Sequence, residues 1–222
     1  MQSSDISGAC PGKGRARVNP VPHSTRACAR FSVGAMIARA ARISLVALGA
    51  VTAFLASPLV AQHDGPFRVA ESGRSYPTLA EAVAAIGGGE GTILIAPGSY
   101  RMCAVQEAGR ITYRAAVPGK AIFEGVACEG KAVLVLRGRS ARVEGIVFRG
   151  ISVPDANGAG IRIEKGDLSV SNAMFLDSEE GILSADDPGA TISIDRSTFA
   201  GLGRCDRGLS CAHSIYIGHY GA

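Results

Sequence analysis

The chain has 222 residues, a formal net charge of +4 and 47% hydrophobic residues, enough for one domain of ordinary size around a buried core. The positive balance is concentrated at the start: residues 1–62 carry seven basic side chains against Asp5 alone, which leaves 16 basic and 18 acidic from His63 onward. That remainder is near neutral and has no basic arm, aromatic nucleic-acid motif or zinc-type spacing, so nucleic acid is not an expected partner.

From Met36 the chain reads MIARAARISLVALGAVTAFLASPLVAQ, two arginines ahead of an uncharged run from Ile43 to Val60 and then small residues. This is the layout of a secretory signal peptide over 36–62, with cleavage near Ala61 or Gln62, and it predicts an exported protein, periplasmic or extracellular. The alternative is an uncleaved anchor, since 18 apolar residues just reach across a bilayer; the membrane would then be met only through the leader. Residues 1–35, rich in Gly, Pro, Ser and Arg, read as an upstream extension ahead of a natural start at Met36. Cys10 and Cys28 would then have no part in the fold.

Residues 63–91 read as an N-terminal cap. Phe67 to Ala70 is a short strand, and YPTLAEAVAAI predicts a helix over 77–86, with Thr78 and Glu81 as a capping box and Leu79, Val83 and Ile86 on one face. Gly87 to Gly89 end it. Its expected task is to cover the open end of a stack of strands, where apolar cross-section and unpaired edges would otherwise meet water. GTILIAPGSYR follows, with Thr92 to Ile95 as the first core strand and Pro97-Gly98 as a turn.

Residues 92–222 then repeat one phrase. Phe123 in AIFEG, Phe148 in GIVFRG, Phe175 in NAMFLD and Phe199 in STFAG follow at intervals of 25, 27 and 24 residues. Each comes after a short alternating run, as in ARVEG (141–145), LSVSN (168–172) and TISID (191–195), and a second apolar strand follows at AGIRIE, EGILS and HSIYIG. About three short strands per repeat, with almost no helical periodicity, predict a β-solenoid whose coils bury their apolar residues against each other. The Phe residues would form an internal column. Asn172, whose counterparts are Gly145 and Arg196, is expected to bond backbone groups at a coil corner.

Over residues 67–222 these repeats, with the helix, strand and APGSY order before them, resemble the right-handed parallel β-helix proteins of the pectate-lyase-like superfamily. The resemblance implies an all-β, right-handed parallel β-helix with an N-terminal capping helix. Its members include lyases, epimerases, hydrolases, esterases and non-catalytic surface proteins, so the fold does not fix the chemistry. No DPHD epimerase motif is present, nor a pectin-methylesterase-like set of two Asp with Gln and Arg. The chain stops at HSIYIGHYGA with only about five to six coils, and the expectation is a C-terminally truncated fragment.

Four cysteines follow the leader. Cys103 and Cys128, one repeat apart, would lie above each other at about the 4.8 Å strand spacing, within disulfide reach, and Cys205 with Cys211 would close a small loop. The alternative is four unpaired core residues; neither pair has metal-site spacing, and no metal site is expected there.

The spacer after each Phe varies, from 13 residues (Phe148 to Ile161) to seven (Phe175 to Ile182) and 16 (Phe199 to Ile215), so extra chain gathers along one edge as the wall of a groove. With Ile161, Ile182 and Ile215 inward, Arg162, Leu183 and Tyr216 form one outward row. Glu164, Asp186, Asp187, His213 and His219 fall near the strand ends, with Arg204, Asp206 and Arg207 on the long loop. Asp186-Asp187-Pro188-Gly189 reads as a turn, with calcium ligation as the alternative and calcium the one cofactor considered. In related enzymes acting on acidic sugars a basic group takes the proton α to the uronate carboxyl group, and a cation steadies the enediolate. The resemblance thus implies catalytic roles for Arg162, His213 and Tyr216, with Glu164, Arg204, Asp206 and His219 binding substrate. The expected function is binding, with lyase or epimerase processing, of an acidic polysaccharide or cell-envelope glycan. The alternatives are a solvated ion-pair face on a non-catalytic envelope or adhesion module.

Overall fold

The computed structural model describes residues 65–203 and 212–220; the predicted leader, Arg204, Cys205, Asp206, Arg207 and Cys211 lie outside them. The chain opens with β1 (Phe67–Val69), β2 (Ser75–Tyr76) and α1 (Leu79–Ile86), and then runs through coils of three strands each. The first coil is β3 (Glu90–Ile95), β4 (Gly98–Tyr100) and β5 (Ala104–Gln106); the second is β6 (Arg110–Ala115), β7 (Ala121–Glu124) and β8 (Ala132–Leu136). The third is β9 (Ser140–Glu144), β10 (Ile146–Arg149) and β11 (Ala159–Ile163), and the fourth β12 (Asp167–Ser171), β13 (Met174–Leu176) and β14 (Glu180–Ser184). The last is β15 (Ile192–Asp195), β16 (Thr198–Ala200) and β17 (Ile215–Tyr216).

Corresponding strands pair in parallel, giving three stacked sheets consistent with a β-solenoid. The first sheet runs β3-β6-β9-β12-β15 and also takes β1 and β2, which pair antiparallel at its start. The second is β4-β7-β10-β13-β16 and the third β5-β8-β11-β14-β17.

Between the sheets the apolar residues of one coil lie on those of the next. Tyr100, Phe123, Phe148, Phe175 and Phe199 are in register along the second sheet, with successive ring centroids 5.2, 6.2, 5.1 and 4.7 Å apart, and Phe67 extends the column at 5.0 Å from Tyr100. The expected Phe column therefore forms. The third sheet makes room for it with glycine: a Cβ on Gly160 would lie 2.7 Å from the Phe175 ring, and one on Gly181 2.7 Å from the Phe199 ring.

In the last three coils the corner between first- and second-sheet strands is one or two residues long and begins with a positive-φ residue, Gly145, Asn172 or Arg196. Asn172 tolerates this backbone better than most side chains. Its Oδ1 accepts from Arg196 Nε at 3.3 Å, so the side chain bonds its counterpart one coil on and not the backbone. A second column with positive φ, Gly125, Gly150, Asp177 and Gly201, closes the second-sheet strands. The stretch leading into the third sheet varies most in length, from three residues (177–179) to nine (150–158) among the fully described coils.

The helix begins at Leu79, not at residue 77, because Tyr76 is spent pairing with Phe67 and Thr78 is extended, its hydroxyl accepting the Glu81 N–H at 3.2 Å. Leu79, Ala82 and Val83 are buried in the same core as the aromatic column. The Cys103–Cys128 disulfide forms, with Cα atoms 5.5 Å apart. Its partners are not opposite each other in a ladder, since Ala104 pairs with Leu134. Cys128 instead opens a tight turn through Glu129 and Gly130, both with positive φ, that folds back onto Ala132 and brings its sulfur to Cys103.

Three outcomes follow for stability. Phe175→Ala should lower the unfolding free energy by about 3–5 kcal/mol in a denaturant titration. Gly160→Val should cost about 1–3 kcal/mol in the native background and clearly less beside Phe175→Ala, where the truncated ring leaves space. Replacing Cys103 and Cys128 together by Ala should cost roughly 3 kcal/mol, the loop-closure value for a loop of this length, read as a lowered denaturation midpoint.

Candidate functional site

The outer face of the third sheet carries two rows in register. One is Val105, Val135, Arg162, Leu183 and Tyr216; the other is Ala132, Ala159 and Glu180. The first confirms the alignment of Arg162, Leu183 and Tyr216. The second arises because Val133, Gly160 and Gly181 face the core together with Leu134, Ile161 and Ile182. Two consecutive inward residues reset the alternation, and Glu180 emerges on the side of Arg162 and Leu183. Ala132, Val135 and Ala159 are fully buried and pack with Val105, Cys128 and Leu183 as an apolar floor separate from the main core.

Arg162 rises from this floor. Its Nε is buried with no hydrogen-bond partner and is 3.7 Å from Glu164 Oε1, beyond bonding distance. Glu164 is already engaged, accepting from Lys131 Nζ at 2.7 Å and Arg137 Nε at 2.6 Å. Partial burial pushes the Glu164 carboxyl up, but these two cations outweigh it and leave it below its ordinary value. Arg137 also reaches Glu107 and Glu129, and its guanidinium holds the Glu129 carboxyl down at about 2. The ion-pair face anticipated beside Arg162 is thus present, and it leaves Arg162 itself with an unused donor.

Glu180 was not singled out in the sequence, where EGILS passes for an apolar strand. A carboxylate at the position where neighbouring coils place Ala132 and Ala159 is the signal that could have found it. It is only 3% exposed and its Oε2 has no partner. Burial pushes its pKa up to about 7; the His213 backbone N–H and the Arg162 charge pull it down, while Glu179 and Asp155 push it further up. The preceding Glu179 accepts from Ser152 Oγ at 2.6 Å, Val153 N at 2.9 Å and Gly158 N at 2.8 Å, and so ties down the long spacer that follows β10, the expected wall of a groove.

His213 and Tyr216 are exposed at the last coil, their ring centroids 5.4 Å apart. His219 is also exposed and its backbone N–H donates to Asp186 Oδ1 at 2.6 Å. Asp187 Oδ2 accepts from Gly166 N at 2.8 Å, and the Ala190 N–H returns to Asp187 O at 3.1 Å, so this stretch is a turn whose carboxylates hold backbone. Among the described residues no cluster of three His, Cys, Asp or Glu is arranged to hold a metal. Tyr220 bridges to Asp187, and its hydroxyl is buried without a partner. Its pKa is pushed up to about 12 by burial, with Asp187 and Asp167 raising it and Arg162 opposing. Arg204 and Asp206 lie outside the described residues.

The arrangement thus combines a guanidinium with an unused N–H, a carboxyl group that carries a proton near neutral pH and two exposed rings beside an apolar floor. No known protein family, curated protein or solved structure matches the chain.

Because the Glu180 pKa is raised by folding, its contribution to stability is present below about 4.5 and is lost as pH rises through about 7. The native protein should therefore lose stability over that window by up to roughly 3 kcal/mol relative to Glu180→Gln. Denaturant titrations of both proteins at either end of the window measure the difference.

Proposed function

We propose that the protein is an exported, right-handed parallel β-helix that binds an acidic polysaccharide such as pectate or alginate along the outer face of the third sheet, and processes it by lyase or epimerase chemistry. The observation that carries this reading is the buried, partnerless Nε of Arg162 above an apolar floor. A uronate carboxylate supplies the acceptor it lacks, while the sugar ring can lie on Leu183 and Tyr216. In processing, His213 acts as the base at the carbon next to the carboxyl group, Arg162 steadies the enediolate and Tyr216 protonates the leaving oxygen. The right hand is the one that parallel crossovers adopt almost without exception, and α1 covers the first coil. Export is supported by the leader-like run 36–62 and by the Cys103–Cys128 disulfide, which suits an oxidising compartment.

Binding without turnover, as in an envelope or adhesion module, is the second reading. It is favoured by the ion-pair face, in which Glu164, expected to bind substrate, is already occupied by Lys131 and Arg137.

Polygalacturonate and alginate should bind the full chain while neutral polymers do not, and Arg162→Ala should weaken binding at least about tenfold, the worth of one charge-assisted bond. Appearance of unsaturated uronate absorbance, lost in His213→Ala, separates lyase action from binding alone. Equal affinity for neutral and acidic polymers would overturn the proposal.

A further inference from the structure

Glu180 and Arg162 occupy neighbouring strands of one face, and neither satisfies the other: Glu180 Oε2 and Arg162 Nε are both buried and both without a partner. The carboxyl oxygen that receives the His213 N–H must act as an acceptor, so in the neutral acid the proton belongs on the other oxygen, Oε2. The site then holds two unused donors, one from a guanidinium and one from a carboxylic acid. Both call for acceptors, and a carboxylate is an acceptor-only group with two oxygens.

We propose that Glu180 is a specificity-determining residue that binds as a neutral carboxylic acid and donates its proton in a hydrogen bond to the ligand carboxylate held by Arg162, so that uronate binding takes up a proton from solvent. This rests on the polyuronate reading of the groove. No covalent bond changes: solvent protonates Glu180, and the proton stays on Oε2 in the complex. An ionised Glu180 would repel the same ligand and leave a second buried charge uncompensated.

The groups that face Glu180 are consistent with this role. Arg162 on β11 favours the ionised form, as does the His213 backbone N–H ahead of β17. Burial, the adjacent Glu179 and Asp155 on the groove wall favour the neutral form, and together they hold the balance near neutrality. Glu179 already accepts three hydrogen bonds from the wall, so it is spent on structure and not on ligand. The His213 ring is exposed and lies against Tyr216, their centroids 5.4 Å apart. Neutral sugars offer hydroxyls but no pair of anionic oxygens, so they gain little from the two donors.

Calorimetric titration of the full chain with trigalacturonate, in buffers of different ionisation enthalpy, tests the idea. With a free-state pKa of about 7, about half a proton should be taken up per ligand at pH 7, and affinity at pH 8 should be about fivefold weaker than at pH 7. In Glu180→Gln, whose amide keeps a donor but cannot titrate, affinity should no longer depend on pH and proton uptake should vanish. Binding by the native protein with no proton uptake, with proton release, or with affinity that is flat or rises with pH would overturn the role of Glu180 and leave the polyuronate reading intact. Proton uptake that persists unchanged in folded Glu180→Gln would overturn it as well. Absence of trigalacturonate binding at every pH would overturn both.

Discussion

The stacking of one aromatic ring on the next, from Phe67 through Tyr100 to Phe199, is the constraint on which the rest of the described structure depends. A coil of three short strands has no core of its own; it acquires one only by laying its side chains on those of the coil beside it. The ring column fixes the register of the second sheet, with positive-φ residues Gly145, Asn172 and Arg196 before it and Gly125, Gly150, Asp177 and Gly201 after it. It also dictates glycine at 160 and 181, where the third sheet must come close. At Val133, Gly160 and Gly181 each third-sheet strand turns a second consecutive residue inward, and this phase brings Glu180 to the outer face. A packing requirement inside thus determines which acid appears outside.

The electrostatics of that face follow from unequal sharing. Lys131 and Arg137 take Glu164, Arg137 also takes Glu107 and Glu129, and the groove wall takes Glu179. Arg162 and Glu180 remain with bonding capacity facing a region where water is scarce. Unused donors in such surroundings are costly for a fold and useful for recognition, because a ligand that satisfies them recovers what folding left unmade.

Much of this was legible in the sequence, for physical reasons that can be stated. The Phe spacing reveals the repeat because a ring column tolerates little change of register, and period-two alternation gives the row through Arg162, Leu183 and Tyr216. The 25-residue separation gives the Cys103–Cys128 pair, although the sulfurs meet because a turn folds back and not because the strands place them opposite each other. What was not legible has one common cause, the interruption of a local rule by a contact distant in sequence. Strict alternation puts Glu180 inside; the Phe199 ring against Gly181 puts it outside. Helical periodicity starts the helix at residue 77; the pairing of Tyr76 with Phe67 delays it to Leu79. Asn172 suggests a backbone bond, but its partner is a side chain one coil on.

The third corner of each coil, between second- and third-sheet strands, varies most in length, from three residues (177–179) to nine (150–158), and this separates two kinds of change. The corner held by Gly145, Asn172 or Arg196, one or two residues long, tolerates little insertion or deletion without displacing the rings beside it. The third corner, 150–158 in one coil, can lengthen, shorten or change its chemistry while every strand keeps its neighbour. Such a scaffold can acquire a new ligand preference through loop exchange alone, with the cost of failed variants confined to the rim of the groove. That property would make the corner after β10 a natural entry point for directed evolution.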